Sequence, residues 1–101
     1  MDVQIDIKNI KIEFNEEKNL LLQETRGINF EEIIKAINNK QVLDDIEHKD
    51  KNKYLKQKIL VVRIKNYVYA VPYVKDKKRG VIFLKTIYPS RELVKKYLKK
   101  D

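Results

Sequence analysis

Arginine is scarce in this chain, and its placement gives the first hint of chemistry. Of 23 basic residues only Arg26, Arg63, Arg79 and Arg91 are arginines; the rest are lysines. Arg91 follows Ser90, a good helix cap, so its guanidinium falls in the first turn of a terminal helix. A cation there opposes the helix dipole, unless it joins the first-turn N–H groups in holding an anion such as phosphate. Lys85 interrupts Val81–Ile87, a run otherwise apolar or neutral, and shares strand parity with Phe83 and Ile87. Such a lysine marks a solvent face or a cleft. Tyr97 has core-like spacing on the last helix, with a hydroxyl able to reach a phosphate or sugar from the helix edge. Arg63 lies on the strand face opposite Val62 and Ile64, where it extends a basic surface. Arg79 falls in a turn, as solvated charge or substrate clamp. Tyr67, Tyr69 and Tyr73 share one strand parity and form a line that either stacks bases or packs against the terminal helix. His48, the single histidine, is the residue type of a general base, but it stands in a charge-dense stretch ill suited to hold one.

These groups suit metal-free RNA cleavage. RNA carries its own nucleophile, the 2′-hydroxyl. The protein must help deprotonate it, stabilise charge on the non-bridging oxygens and assist the leaving 5′-oxygen. Other chemistries find little support. With no cysteine there is no disulfide scaffold, thiol chemistry or Cys-based zinc site. One histidine makes a Ser-His-Asp triad improbable. Gly27 and Gly80 are the only glycines, so no Gly-rich loop can cradle a nucleotide, and HExxH does not occur. Asp44, Asp45, Glu47, His48 and Asp50 match no standard metal loop and read as a solvated charge run. No cofactor or metal is expected.

The charge is unevenly spread. Residues 1–50 carry 7 basic and 12 acidic side chains, net −5; residues 51–101 carry 16 and 3, net +13. A lysine-rich composition explains the abundance of Lys but not the scarcity of acids after Asp50. Such a field steers polyanions to one part of the surface: RNA first, then DNA, then an acidic protein. The 101 residues fit one domain, 1–101, and 43% hydrophobic content suffices for a core. No apolar run approaches the roughly 18 residues of a membrane span. The start is unlike a signal peptide, so a cytoplasmic protein is expected.

The elements that must position these groups follow from periodicity. Val3, Ile5 and Ile7, then Ile10, Ile12 and Phe14, alternate with polar residues around Lys8-Asn9, which predicts a β-hairpin. Asn15 caps a helix that reaches Arg26 and stops at Gly27. Asn29 and Glu32 form a capping box for a second helix, with Phe30, Ile33, Ile34 and Ile37 on one face, ending at Asn38-Asn39. Residues 44–57 are mostly charged and read as a loop, with a short edge strand at Val42–Ile46. Ile59–Ile64, Tyr67–Val74 and Val81–Ile87 predict an antiparallel meander with turns at Lys65-Asn66 and Lys75–Gly80. Pro72 requires an edge or a local break. Ser90 caps the final helix, which turns Leu93, Val94, Tyr97 and Leu98 to the sheet.

Two stretches carry a resemblance. Phe14-Asn15-Glu16-Glu17-Lys18-Asn19, followed by Arg26-Gly27-Ile28-Asn29-Phe30-Glu31-Glu32, resembles the opening of the BrnT-type toxins of bacterial type II toxin–antitoxin systems. That family has Phe-x-Trp-Asp-x-x-Lys leading into a helix, then a basic residue and Gly before a polar cap and Phe-Glu-Glu. Here Phe14 and Lys18 are present, Asn15 replaces Asp, and the Trp is missing. The end is similar too: Thr86-Ile87-Tyr88-Pro89-Ser90-Arg91, then Lys95-Lys96-Tyr97, stand where the family has a strand like Ile-Ile-Ser-Ala-Arg and a basic helix containing a Tyr. The family's usual His before the Gly is Arg26.

The resemblance implies a small α+β RelE-like domain: an N-terminal β-hairpin and two helices, an antiparallel sheet of three further strands, and a C-terminal helix. It implies a metal-independent endoribonuclease, neutralised by a cognate antitoxin and touching operator DNA only as the toxin–antitoxin complex. Arg91 carries over most directly, and Lys18 in position. The expected catalytic group is then Arg91, Lys85, Tyr97 and Arg26, with Lys18, Arg63 and Arg79 binding RNA. Two other classes fit the same charge: a non-catalytic nucleic-acid-binding module, and an interaction protein whose basic surface meets an acidic partner.

Overall fold

The computed structural model describes residues 11–48, 50, 52 and 56–98. Their order is β1 (Lys11–Phe14), α1 (Glu16–Arg26), α2 (Phe30–Asn38), β2 (Val42–Glu47), β3 (Gln57–Ile64), β4 (Tyr67–Asp76), β5 (Val81–Leu84), β6 (Tyr88–Pro89) and α3 (Arg91–Leu98). Together they form a small α+β fold with three helices and a mixed six-stranded sheet among the described residues.

The helix ends follow their cap residues. Asn15 Oδ1 accepts from the Lys18 N–H at 2.9 Å, and Glu16 and Glu17 sit in the first turn against the dipole. Gly27 closes α1 at φ 66, a left-handed conformation that a Cβ would strain. Two residues later Asn29 and Glu32 complete the reciprocal capping box of α2. The corner between the helices is locked by Asn19, a buried polar residue. Its Oδ1 accepts from the Phe30 N–H at 2.6 Å, and its Nδ2 donates to Glu31 at 2.8 Å.

The sheet runs β1-β5-β4-β3-β2, with β6 also on β4. β3, β4 and β5 form the expected antiparallel meander. β2 pairs antiparallel with β3, so the first residues of the stretch read as a loop, Asp44 to Glu47, belong to a strand one residue longer than the expected edge strand. The expected N-terminal hairpin is not confirmed. Its first arm and turn lie outside the described residues, and β1 pairs in parallel with β5, Lys11 opposite Val81 and Phe14 opposite Leu84. That pairing comes from the far end of the chain, which alternation alone cannot reveal.

Pro72 sits inside β4 at a break. The Lys85 N–H donates to the Pro72 carbonyl at 2.8 Å, so the missing Pro72 N–H faces the same side. On that side the β5 ladder ends at Tyr73–Leu84 and the β6 ladder begins at Ala70–Tyr88. The strand expected to run on to Ile87 therefore stops at Leu84, and the chain bends before returning as β6.

Side chains alternate across the sheet and separate two faces. One packs on α1 and α2: Leu60, Val71 and Leu84 from the strands meet Leu22, Phe30 and Ile33 from the helices, all fully buried. Phe14 stacks on Phe30 with ring centroids 4.9 Å apart. The other face, with Ile59, Val61, Val68 and Ala70 buried, carries α3 over β4. Leu93, Val94, Tyr97 and Leu98 turn inward as expected, but all four are only half-buried.

Candidate nucleic-acid interface

The α3 face holds four of the seven candidate residues. Arg91 opens α3, where Ser90 Oγ accepts from the Leu93 N–H at 3.2 Å and the Ser90 N–H donates to the Val68 carbonyl at 3.2 Å. The guanidinium is solvent-exposed and forms no ion pair among the described residues. Lys85 is exposed, with Nζ 5.4 Å from the Phe83 ring centroid. It keeps the expected face of Phe83 but not of Ile87, which is fully buried in the core under α1 and α2 because the strand has already ended. Lys85 and Ser90 abut the same side of β4, at Pro72 and Val68. Their attachment points are ~13 Å apart along the strand. Arg63 is exposed on this face, its Nε donating to the Lys65 carbonyl at 3.0 Å.

Tyr97 is held more tightly than its spacing suggests. Its hydroxyl donates to Asp44 Oδ2 at 2.5 Å. The bond crosses from α3 to β2, because Asp44 lies opposite Val61 and shares its face. The Tyr97 hydrogen bond, the Asp45 N–H at 2.8 Å and the charge of Lys96 hold the Asp44 carboxyl below its ordinary range, against the effect of burial. Burial, then the bond to Asp44 and the charge of Asp44, push the Tyr97 phenol up to about 12. At neutral pH this hydroxyl keeps its proton and directs it at Asp44. Tyr97 therefore positions α3, and with it Arg91.

The next residue repeats the device on the opposite face. Asp45 accepts from the Tyr73 hydroxyl at 2.8 and 2.9 Å and from Lys58 Nζ at 3.4 Å. Burial, followed by the Asp45 contact, raises the Tyr73 phenol. Sequence alone presents Asp44 and Asp45 as solvated charge, and the structure corrects this. On a strand, adjacent residues point to opposite faces, and each here meets a tyrosine from another element. The line of Tyr67, Tyr69 and Tyr73 does not pack against the terminal helix. Tyr73 and Tyr69 belong to the core under α1 and α2, with Tyr67 5.5 Å from Tyr69.

The remaining three candidates stand apart from α3. Arg26, at the end of α1, donates through Nη1 to the Ile87 carbonyl, so it braces the connection leading to β6 and Arg91. Lys18 is half-buried on α1. Arg79 lies at the other end of the sheet, paired with Glu13 at 3.1 Å and Asp76 at 3.9 Å. Among the described residues no group of three or more His, Cys, Asp or Glu is arranged to hold a metal ion. No helix among them is long and apolar enough to cross a membrane.

No family model, curated protein or solved structure matches this chain. The α+β architecture is compatible with RelE- and BrnT-like domains without being specific to them.

Proposed function

We propose that this chain is a BrnT-like, metal-independent endoribonuclease toxin of RelE-like fold that acts in the cytoplasm and is neutralised by a cognate antitoxin. The observation that carries the reading is Arg91, exposed at the start of a helix with no ion pair among the described residues, on the face that also carries Arg63 and Lys85. Its guanidinium holds the scissile phosphate and stabilises charge on the non-bridging oxygens as the 2′-hydroxyl attacks phosphorus. The P–O5′ bond breaks, leaving a 2′,3′-cyclic phosphate and a 5′-hydroxyl. Lys85 supports the same phosphate or the leaving oxygen, and Arg63 extends the path of the strand. Tyr97 acts through Asp44 to hold the helix in place, and Arg26 braces the segment that delivers Arg91. An acidic antitoxin covers this face by charge complementarity, and operator DNA is met only in that complex.

The test compares wild type and Arg91→Ala on labelled RNA in EDTA, with cleavage and binding measured in parallel. Loss of cleavage by 100-fold or more, on the order of one lost charge-stabilising contact, with little change in affinity is expected. Salt-sensitive binding with no cleavage by either protein indicates a binding module instead, in which each lost phosphate contact lowers the salt slope by about 1.

A further inference from the structure

The outer surface of α1 is acidic and apolar at once. Leu20 and Leu21 are 63% and 51% exposed, and no other large hydrophobic residue among the described ones is exposed to this degree. At helical spacing Glu17 and Glu24 fall between and beside these leucines, with Glu16 at the margin. All three carboxylates are exposed, and none has an ion pair among the described residues. The inward side of the same helix is used by Asn19 and Leu22, so core packing does not explain Leu20 and Leu21.

We infer that the outer face of α1 is a docking surface for a partner protein's cationic amphipathic segment, which covers Leu20 and Leu21 and pairs with Glu16, Glu17 and Glu24. Charge complementarity selects this occupant. Nucleic acid and anionic lipid are repelled by the carboxylates. A second copy docking through its own α1 sets glutamates against glutamates. A second copy docking through α3 brings Lys95 and Lys96 but no comparable apolar anchor, because Leu93, Val94 and Leu98 turn to the sheet. Lysine or arginine flanking two apolar side chains satisfies both halves of the patch. This surface lies on the opposite side of the sheet from Arg91, so the inference stands apart from the nuclease proposal.

The probe is a short synthetic helical peptide with leucines at i and i+4 flanked by lysines, titrated into the full chain and followed by methyl NMR. The expected result is saturable shifts centred on the Leu20 and Leu21 methyls, weakened by salt. Leu20→Gln/Leu21→Gln should reduce affinity about tenfold or more, and Glu17→Lys/Glu24→Lys should abolish the shifts. Both pairs are exposed, and unchanged circular dichroism verifies the fold. The inference is overturned if the leucines do not shift, if the variants bind equally well, or if a peptide with Glu in place of Lys binds as tightly. Sedimentation showing a dimer that Leu20→Gln/Leu21→Gln dissolves would overturn it in favour of a second copy.

Discussion

On the α1–α2 side of the sheet, helix and strand residues alike are fully buried, among them Phe30, Ile33, Leu60 and Leu84, whereas on the α3 side Val61 and Val68 of the strands are fully buried but no residue of the covering helix is. The first side is held by packing, two cap motifs and a buried asparagine that stitches both helices. The second is held by buried strand residues beneath a helix whose own side chains are at most half-buried, the Ser90 cap and one tyrosine–aspartate hydrogen bond between distant elements. Apolar burial stabilises the first side, and its loss costs several kcal/mol per large side chain. A lone hydrogen bond near the surface contributes about 1 kcal/mol. The scaffold thus lies on one side, and the candidate phosphate-binding groups sit on an element that is easier to loosen.

The largest expected effect breaks the scaffold. Phe30→Ala removes the ring that stacks on Phe14 and should destabilise the chain by roughly 3–5 kcal/mol in urea unfolding. Asn19→Ala comes next, because it leaves the Phe30 N–H buried without its acceptor. A loss of about 2 kcal/mol is expected, with amide exchange accelerating first at the start of α2. A value near zero would show that the corner is held by packing alone.

Tyr97→Phe and Asp44→Asn act on the other side and should each cost about 1 kcal/mol or less. In a double-mutant cycle the second change should add little to the first. Hydrogen exchange should quicken in α3 and stay unchanged in α2; equal quickening in both would erase the contrast between the faces.

The smallest effect is on pH dependence, and it has two limits. Asp44 is held below its ordinary 3.8, so its contribution is present above that value and fades as pH falls through the lowered one. Tyr97 is raised from 10.0 to about 12, so its contribution is full below pH 10 and is lost as pH rises towards 12. Ultraviolet titration should show Tyr97 ionising late together with Tyr73, and only the Tyr97 component should move earlier in Asp44→Asn. An unchanged titration would remove the bond from the account.

What was legible in the sequence was local. Asn15, Gly27, Asn29 with Glu32, and Ser90 each act within a few residues, so the helix ends were readable. Strand parity also separated Arg63 from Val62 and Ile64, the apolar positions beside it. Features that depend on distant partners were not readable. Asp44 and Asp45 look like surface charge until Tyr97 and Tyr73 arrive from α3 and β4. The parallel β1–β5 pairing joins strands from opposite halves of the chain. Parity placed Tyr69 and Tyr73 on one face but could not say which helices cover it, and the early end of β5 sent Ile87 to the opposite face from Lys85.

The central claim is that the α3 face cleaves RNA through Arg91. It is tested most directly by incubating an RNA oligonucleotide with wild type or Arg91→Ala in EDTA and identifying the product ends by mass spectrometry. The account predicts 2′,3′-cyclic phosphate and 5′-hydroxyl ends from wild type and intact RNA from the variant. Equal cleavage by both proteins, or products ending in 3′-hydroxyl and 5′-phosphate, would contradict it.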